Sequence, residues 1–419
     1  MNEEIRKAIG FFTRETRIMD GLAVACGRGT RRETAWDGRE IRPETLFDLA
    51  SVTKIFTGLC LMRLWEEGAL DPFLPVTRYC PEFPHLKETT VEQLMGFQVQ
   101  LRTPERIDRQ KTREDALNCL RAVCPAENPG RRAYSDIPAM VLKYVAERSA
   151  GMPMAECVRE MILRPAGMDS TFAKVPAERE GDCLLYGPEY RIEGEERICR
   201  TDPTRGVPHD PKAAILQGKT GDLCGHAGLF STMGDMEKLA GAVLAGKVVS
   251  RESLRRLAVN RTGRRLPDGT YTQYLGYQCY LKHPDQYFSE IPAGMSLSAF
   301  GIGGFTGNHF SVDPETERYT IFLGNRVRDR LTVLIPPAGK SYTDYGLRPD
   351  GTGEIRWTDG QMLPSSVNYV HQKDEHLHAV IERLLAGQAD DPGDWGPRGS
   401  APADPQRPDE RPESEGEGC

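Results

Sequence analysis

The segment from Phe47 to Trp65 constrains this chain more than any other. From Ser51 onward it is apolar on nearly every side, Gly68 stops it, and Pro72 lies just beyond. A helix without a polar face is buried all round, so the fold has to be assembled around this one. Such a helix needs a large core, which 419 residues with 39% hydrophobic content can supply. At its start stand Ser51-Val52-Thr53-Lys54. Residues three apart share a helical face, ~4.5 Å apart along the axis, so a serine hydroxyl and a lysine amine can meet there. Burial disfavours an ammonium, and the setting predicts a lowered Lys54 pKa, as a general base needs. An ordinary helix start, with Ser51 as N-cap and Lys54 at the surface, is the plainer alternative; the context FDLASVTK before an apolar run favours the nucleophile.

Around this helix the pattern alternates by region. Asn2 to Met19 has helical spacing of Ile5, Ile9, Phe12 and Ile18, and Leu22 to Cys26 reads as a buried strand. From about Asp71 to Ala245 the signals are mostly helical, with helices over Ile137–Ser149, Pro153–Leu163 and Asp235–Ala245. Strand-like runs return at Tyr271–Tyr280, Asn308–Val312 and Arg318–Asn325, followed by a helix over Asp374–Leu385. One antiparallel sheet built from both chain ends, flanked by terminal helices and joined to a mainly helical region, is the expected α/β (α+β type) architecture. The expected domain covers residues 1–387, with the sheet region at about 1–70 and 247–387 and the helical region at about 71–246. The last 32 residues hold six prolines and five glycines and are expected to be disordered.

Charge narrows the function classes. The 54 basic and 61 acidic side chains give −7, but nine acids and three arginines of the tail carry all but one unit of it. A nearly neutral body offers no basic face for nucleic acid. Eleven scattered cysteines without CxxC or zinc-like spacing do not form a disulfide framework or a metal site. The start, MNEEIRKAIGFF, is not signal-like, and no run approaches the ~20 apolar residues of a membrane span. A cytoplasmic protein acting on a small molecule, without membrane or nucleic-acid partner, is the expectation.

Several segments in order resemble the serine β-lactamase and penicillin-binding-protein superfamily, in its class-C-like branch of esterases and peptidases. FDLASVTK is similar to that branch's first motif, Tyr134-Ser135-Asp136 to its second (a Tyr-x-Asn element in its Tyr-Ser-Asp form), and MILRPAGMDSTF to the segment that follows. GHAGLFST (Gly225 to Thr232) and GFTGNHFSVDPE with FLGNRV resemble later parts, so the likeness runs from about Asp20 to Val327. The resemblance implies acyl transfer through an acyl-serine, with Ser51 as nucleophile and Lys54 as its base. Tyr134 would share the proton with Lys54, its phenol pKa lowered by neighbouring positive charge. Asp136 either caps the helix after it or meets the site. The oxyanion hole would use the backbone N–H groups of Ser51 and Phe305.

The third motif departs from the pattern. Relatives have Lys-Thr-Gly or His-Thr-Gly; here stand Ile302-Gly303-Gly304, so the group that would anchor a substrate carboxylate is missing and β-lactam turnover is expected to be weak or absent. Two glycines leave the strand edge open to a substrate. Lys219-Thr220-Gly221 spells the missing motif in another place, and GIGGFTG has the wrong spacing for a dinucleotide fingerprint. His209 and His226 fall in segments that resemble site-lining loops and either contact substrate or make structural hydrogen bonds. His309 is a candidate to replace the lost cation. His371, His376 and His378 do not stack on one helical face, which argues against a metal set. The resemblance implies no metal and no organic cofactor. It points to an esterase-like serine hydrolase, with a D-amino-acid peptidase or amidase, or a silent binding protein, as rivals. Residues 328–369 match nothing recognisable; they would cover the cleft or mediate oligomerisation.

Overall fold

The computed structural model describes residues 3–126, 133–201, 204–267, 269–285 and 290–386; the acidic tail lies outside them. Helix α1 (Glu3–Gly10) continues through a π-helical turn, and Arg17, at φ 55°, ends the run short of Met19. Strands β1 (Gly21–Arg28) and β2 (Arg31–Gly38) form a hairpin, and a single turn at Ala50–Val52 opens α2 (Thr53–Glu66). Every residue of α2 from Thr53 to Met62 is buried, as its all-round apolarity requires. Next come α3 (Ile137–Ala150), with a proline in its first turn and Gly151 at its end, and strands β3 (Glu189–Glu193) and β4 (Glu196–Arg200). Helices α4 (Pro211–Leu216) and α5 (Met233–Leu244) start from Asp210 and Thr232, whose side chains accept from backbone amides three residues on.

The late strands are β5 (Tyr280–Leu281), β6 (Phe300–Gly304), β7 (Asn308–Asp313), β8 (Arg318–Asn325) and β9 (Arg330–Ile335). A hairpin of β10 (Glu354–Arg356) and β11 (Met362–Pro364) precedes α6 (Tyr369–Lys373), a π-helical turn and α7 (Ala379–Ala386). The main sheet has the order β5-β6-β7-β8-β1-β2, antiparallel throughout, so its centre joins the first strand to one three hundred residues later. The fold is α/β of the expected type. The Tyr271–Tyr280 run is not a strand, because Gln278 adopts φ 58° and reverses the chain; only Tyr280 and Leu281 join the sheet.

Register fixes what each face of the sheet meets. Ile302, Phe310, Ile321 and Ala25 are paired in one row across four strands, and all belong to the large core around α2. The next row is Gly303, His309, Phe322 and Val24, on the opposite face. There Val24 and Phe322 pack with Phe12, Tyr369, Leu377 and Ile381 of the terminal helices. Residues 328–369 form their own small layer: β9 pairs parallel to β3, β3 antiparallel to β4, and Trp357, Ile355 and Leu363 pack on Tyr190 and Ile192.

Candidate active site

Ser51 sits in a turn held in an unusual conformation. Ala50 before it has φ 46°, the left-handed region a non-glycine residue enters at a cost of about 1–3 kcal/mol. The buried carboxylate of Asp48 secures this turn. Its Oδ1 accepts from the Ala50 amide at 2.9 Å and its Oδ2 from the His209 amide at 2.6 Å. Asp48 also offers its backbone carbonyl to Thr306 Oγ1 at 2.9 Å and to Asn308 Nδ2 at 2.6 Å. The nucleophile candidate is thereby tied to the loop at 209 and to the turn after β6. Sequence reasoning passed over Asp48, although an aspartate two residues before the amide it caps is a readable Asx signature.

In the first turn of α2, the fully buried Lys54 donates from Nζ to Ser51 Oγ at 3.0 Å, Asp136 Oδ1 at 2.6 Å and the His226 carbonyl at 3.2 Å. The expected lowering of its pKa does not occur. Burial pulls the value down, but Asp136 and Tyr134 outweigh it and the net direction is up. Asp136 does not cap α3 with its side chain; it holds two ammonium groups instead, Lys54 through Oδ1 and Lys212 through Oδ2 at 3.1 Å. Against the opposing effect of burial, Lys54, Lys212 and His226 keep the Asp136 carboxyl well below the ordinary range.

Tyr134 is hydrogen-bonded to both Lys54 and Ser51, and the Lys54 ammonium lies 4.9 Å from its ring centre. Burial nonetheless raises its pKa, with Lys54 lowering it and Asp136 adding to the rise, so the expected lowered phenol is not found. Its ring lies between Phe97, at 5.6 Å, and Tyr280, at 5.3 Å. Gln273 Oε1 accepts from the Tyr134 amide at 2.9 Å, while its Nε2 donates to the Tyr280 hydroxyl at 3.2 Å.

Strand β6 closes the opposite wall. Ile302 is buried in the core and places no charge in the cleft. A Cβ on Gly304 would lie 2.8 Å from the Leu49 carbonyl, so only glycine lets this strand approach the serine turn so closely. Gly303 faces the other way, where a Cβ would come within 3.0 Å of Glu290 Oε2. The chain then turns over Gly304–Gly307, closed by the Gly307 amide donating to the Gly304 carbonyl at 3.0 Å, with Phe305 as its first central residue. A closed turn of this kind leaves the amide of that residue out of its own hydrogen bond.

The histidines divide. His209 stacks on the Phe305 ring at 5.9 Å and pairs with the buried Glu189 at 3.0 Å, so it supports the site from behind. His226 is buried, with Nε2 3.0 Å or less from a carboxylate: 2.9 Å to Asp210 Oδ1. His309 is not in the cleft. It lies in the row that faces the terminal helices, bonded to Ser311 and 4.8 Å from the His378 ring, so it cannot stand in for the third-motif cation. Lys219 pairs with Glu180 at the surface at 2.6 Å, away from Ser51's partners. His371 meets Glu375, His376 stacks on Phe11, and His378 is buried beside Asp374, so these three share no centre. Among the described residues Asp136, Asp210 and His226 bring ligand atoms within 4.8 Å of one another. Lys54 and Lys212 already stand against both oxygens of Asp136, so positive charge is supplied from the chain itself. Lys212 and Asp210 gave no signal in the sequence beyond a helix start.

Comparison with known proteins bears on this geometry. EstA from Arthrobacter nitroguajacolicus Rue61a superposes with a TM-score of 0.61 at 17% identity, over 91% of this chain and 97% of that one. A class C β-lactamase from Rhodobacter sphaeroides gives 0.59 at 20% identity, over 78% and 95%. At such identities these likenesses carry the fold alone. A Salmonella typhi protein with the provisional name D-alanyl-D-alanine carboxypeptidase is 25% identical over 333 residues, 74% of this chain and 75% of that protein. No helix among the described residues is long and apolar enough to cross a membrane. The Beta-lactamase family model spans residues 12–335, from the turn after α1 to the end of β9, and the chain belongs to that family of serine hydrolases.

Proposed function

We propose that the protein cleaves neutral esters or small amides through an acyl-Ser51 intermediate, as an esterase-like hydrolase. One observation carries the reading: Lys54, buried and hydrogen-bonded to Ser51 and Tyr134, meets Asp136 at 2.6 Å. In the reactive form neutral Lys54 takes the Ser51 proton as Oγ bonds to the acyl carbon. The departing alcohol or amine receives a proton from Lys54 by way of Tyr134. Water then attacks the acyl-serine and gives a proton to the same pair, which returns it to Ser51 Oγ as the bond to the acyl carbon breaks and the acid leaves. The negative oxygen formed at each step would sit between the amides of Ser51 and Phe305.

The preference for a neutral substrate rests on the wall made by β6. Ile302 is buried and apolar, and Lys54 and Lys212 are already paired with Asp136. A substrate carboxylate would lack the charged partner that can be worth ~2–5 kcal/mol, so β-lactam turnover should be slow. The carboxypeptidase name of the Salmonella typhi relative supports D-amino-acid amides as the second class to try.

The test is a short-chain p-nitrophenyl ester offered to the protein and to Ser51→Ala, following p-nitrophenol and the mass of the protein. Serine-dependent release with a transient acyl mass on the chain is expected. Equal release by both proteins, with no mass gain, would sink the ester reading, and a panel of D-amino-acid amides would then examine the second.

A further inference from the structure

We infer that Arg326 is the positioning residue of the oxyanion turn, and that the layer formed by residues 328–369 and α6 acts on catalysis through it. This rests on the proposed acyl-serine reaction, in which the Phe305 amide serves the developing oxyanion. The observation is that all three carbonyls of Phe305, Thr306 and Gly307 are engaged from one side. Arg326 Nε donates to the Phe305 carbonyl at 2.6 Å, and the Arg326 amide donates to the Thr306 carbonyl at 3.0 Å. The hydroxyl of Tyr369, at the start of α6, donates to the Gly307 carbonyl at 2.7 Å. With its carbonyls turned toward Arg326 and Tyr369, the turn is fixed in orientation, and so is the amide of Phe305.

The grip extends to side chains. The guanidinium lies 4.7 Å from the Phe305 ring centre and 5.6 Å from that of Tyr369, while His209 stacks on Phe305 at an interplanar angle of 5°. From the serine side, Thr306 and Asn308 bind the Asp48 carbonyl, so the turn is clamped between the nucleophile's own turn and Arg326. Arg326 is 3% exposed, and its Nη1 donates to the Ser366 carbonyl at 3.1 Å. Ser366 in turn donates its amide to Leu331 of β9. A buried guanidinium with its donors committed to carbonyls on two segments is a rigid link between them. The added layer is thus connected to the oxyanion turn through Arg326 and, at the start of α6, through the Tyr369 hydroxyl. Oxyanion donors act by being in place before charge develops, so a turn freed from Arg326 should lose rate rather than affinity.

The experiment compares wild type, Arg326→Ala, Arg326→Lys and Tyr369→Phe on a p-nitrophenyl ester and on its thiono analogue, with Ser51 labelling by an activated phosphonate. Arg326→Ala is expected to lose roughly 10- to 100-fold in kcat with little change in KM. Its preference for the oxygen ester over the thiono ester should shrink, because sulfur profits less from an oriented amide. Arg326→Lys should not restore the rate, whereas added ethylguanidinium should raise that of Arg326→Ala. Tyr369→Phe removes one hydroxyl from the same turn; it should show the same pattern more weakly and serves if Arg326→Ala does not fold. Variants that fold, label and discriminate like wild type would overturn the role of Arg326. A wild type that neither turns over the ester nor takes the phosphonate would instead overturn the acyl-serine reading itself.

Discussion

Removing the charge of Asp136 while keeping its shape separates the two forces that act on Lys54. Burial alone would favour the neutral amine; the carboxylate at 2.6 Å outweighs it and raises the pKa. The base form of Lys54 is therefore scarce at neutral pH, and the rate should climb as pH rises toward the Lys54 pKa. In Asp136→Asn the opposing effect of burial is left to dominate, so the rising limb of kcat/KM should move to lower pH. A pH profile of ester hydrolysis for the two proteins checks this, and an unmoved limb would mean that Lys54 is not the titrating base. Asp48 makes a different demand. Asp48→Ala would leave the buried amide of Ala50 and the partly buried amide of His209 without their acceptor. At about 1–3 kcal/mol for each unsatisfied group, urea unfolding should show a loss of roughly 2–6 kcal/mol. Asp48→Asn keeps one acceptor oxygen and should lose less.

Among the elements, β6 is the one whose sequence explains least at first sight and whose geometry demands most. Phe300-Gly301-Ile302-Gly303-Gly304 has three glycines in five residues, a weak strand signal, yet Gly304 must pass the Leu49 carbonyl with no room for a methyl group. Gly304→Ala should push β6 off the serine turn, cost about 1–3 kcal/mol as overpacking does, and slow phosphonate labelling of Ser51. Unchanged labelling would show that the two turns are mechanically independent. The same element shows why legibility was uneven. Helices α2 and α3 and strands β1 and β8 could be read because apolar runs report burial directly, and β7 because Phe310 and Val312 alternate with polar residues. Strands β3 and β4 could not: Glu189 to Arg200 is mostly charged, and its burial comes from pairing with β9 far along the chain. Within the site, Ser51 and Lys54 are neighbours by helical spacing. Lys54 and Asp136 meet across 82 residues, and nothing local marks Lys212 or Arg326 as their companions. The expected pKa directions failed for a related reason: burial is visible in the sequence, the opposing ion is not.

At the scale of the molecule, the first and last described helices pack on one face of the sheet, and the layer they bury there is not purely apolar. Between β7 and the terminal helices lie His309, His378, Lys373, Asp374 and Glu290, each at most 9% exposed. Lys373 pairs with Glu290 at 3.2 Å, and Asp374 lies 3.5 Å from His378. Burial first, then Lys373 and His378, hold His309 well below the usual imidazole range; burial, Lys373 and Lys282 do the same to His378. In the unfolded chain both rings would titrate near pH 6.5. A group whose pKa is depressed on folding contributes stability that is complete above its unfolded pKa and is lost as pH falls toward its folded pKa. Stability should therefore begin to fall below about pH 6.5, before the carboxylates are protonated. The slope has a ceiling of about 2.7 kcal/mol per pH unit for two protons. Urea midpoints at intervals from pH 8 to pH 5 would show it, and His309→Asn should flatten the curve by removing one of the two protons taken up on unfolding. A midpoint that stays level down to pH 5 would mean that the two histidines are charged in the folded protein, paired with Asp374 and Glu290 despite their burial. In that case the layer between the terminal helices and the sheet would be held by buried ion pairs, which salt screens little, and loss of one partner, as in Glu290→Gln, rather than acid would loosen it.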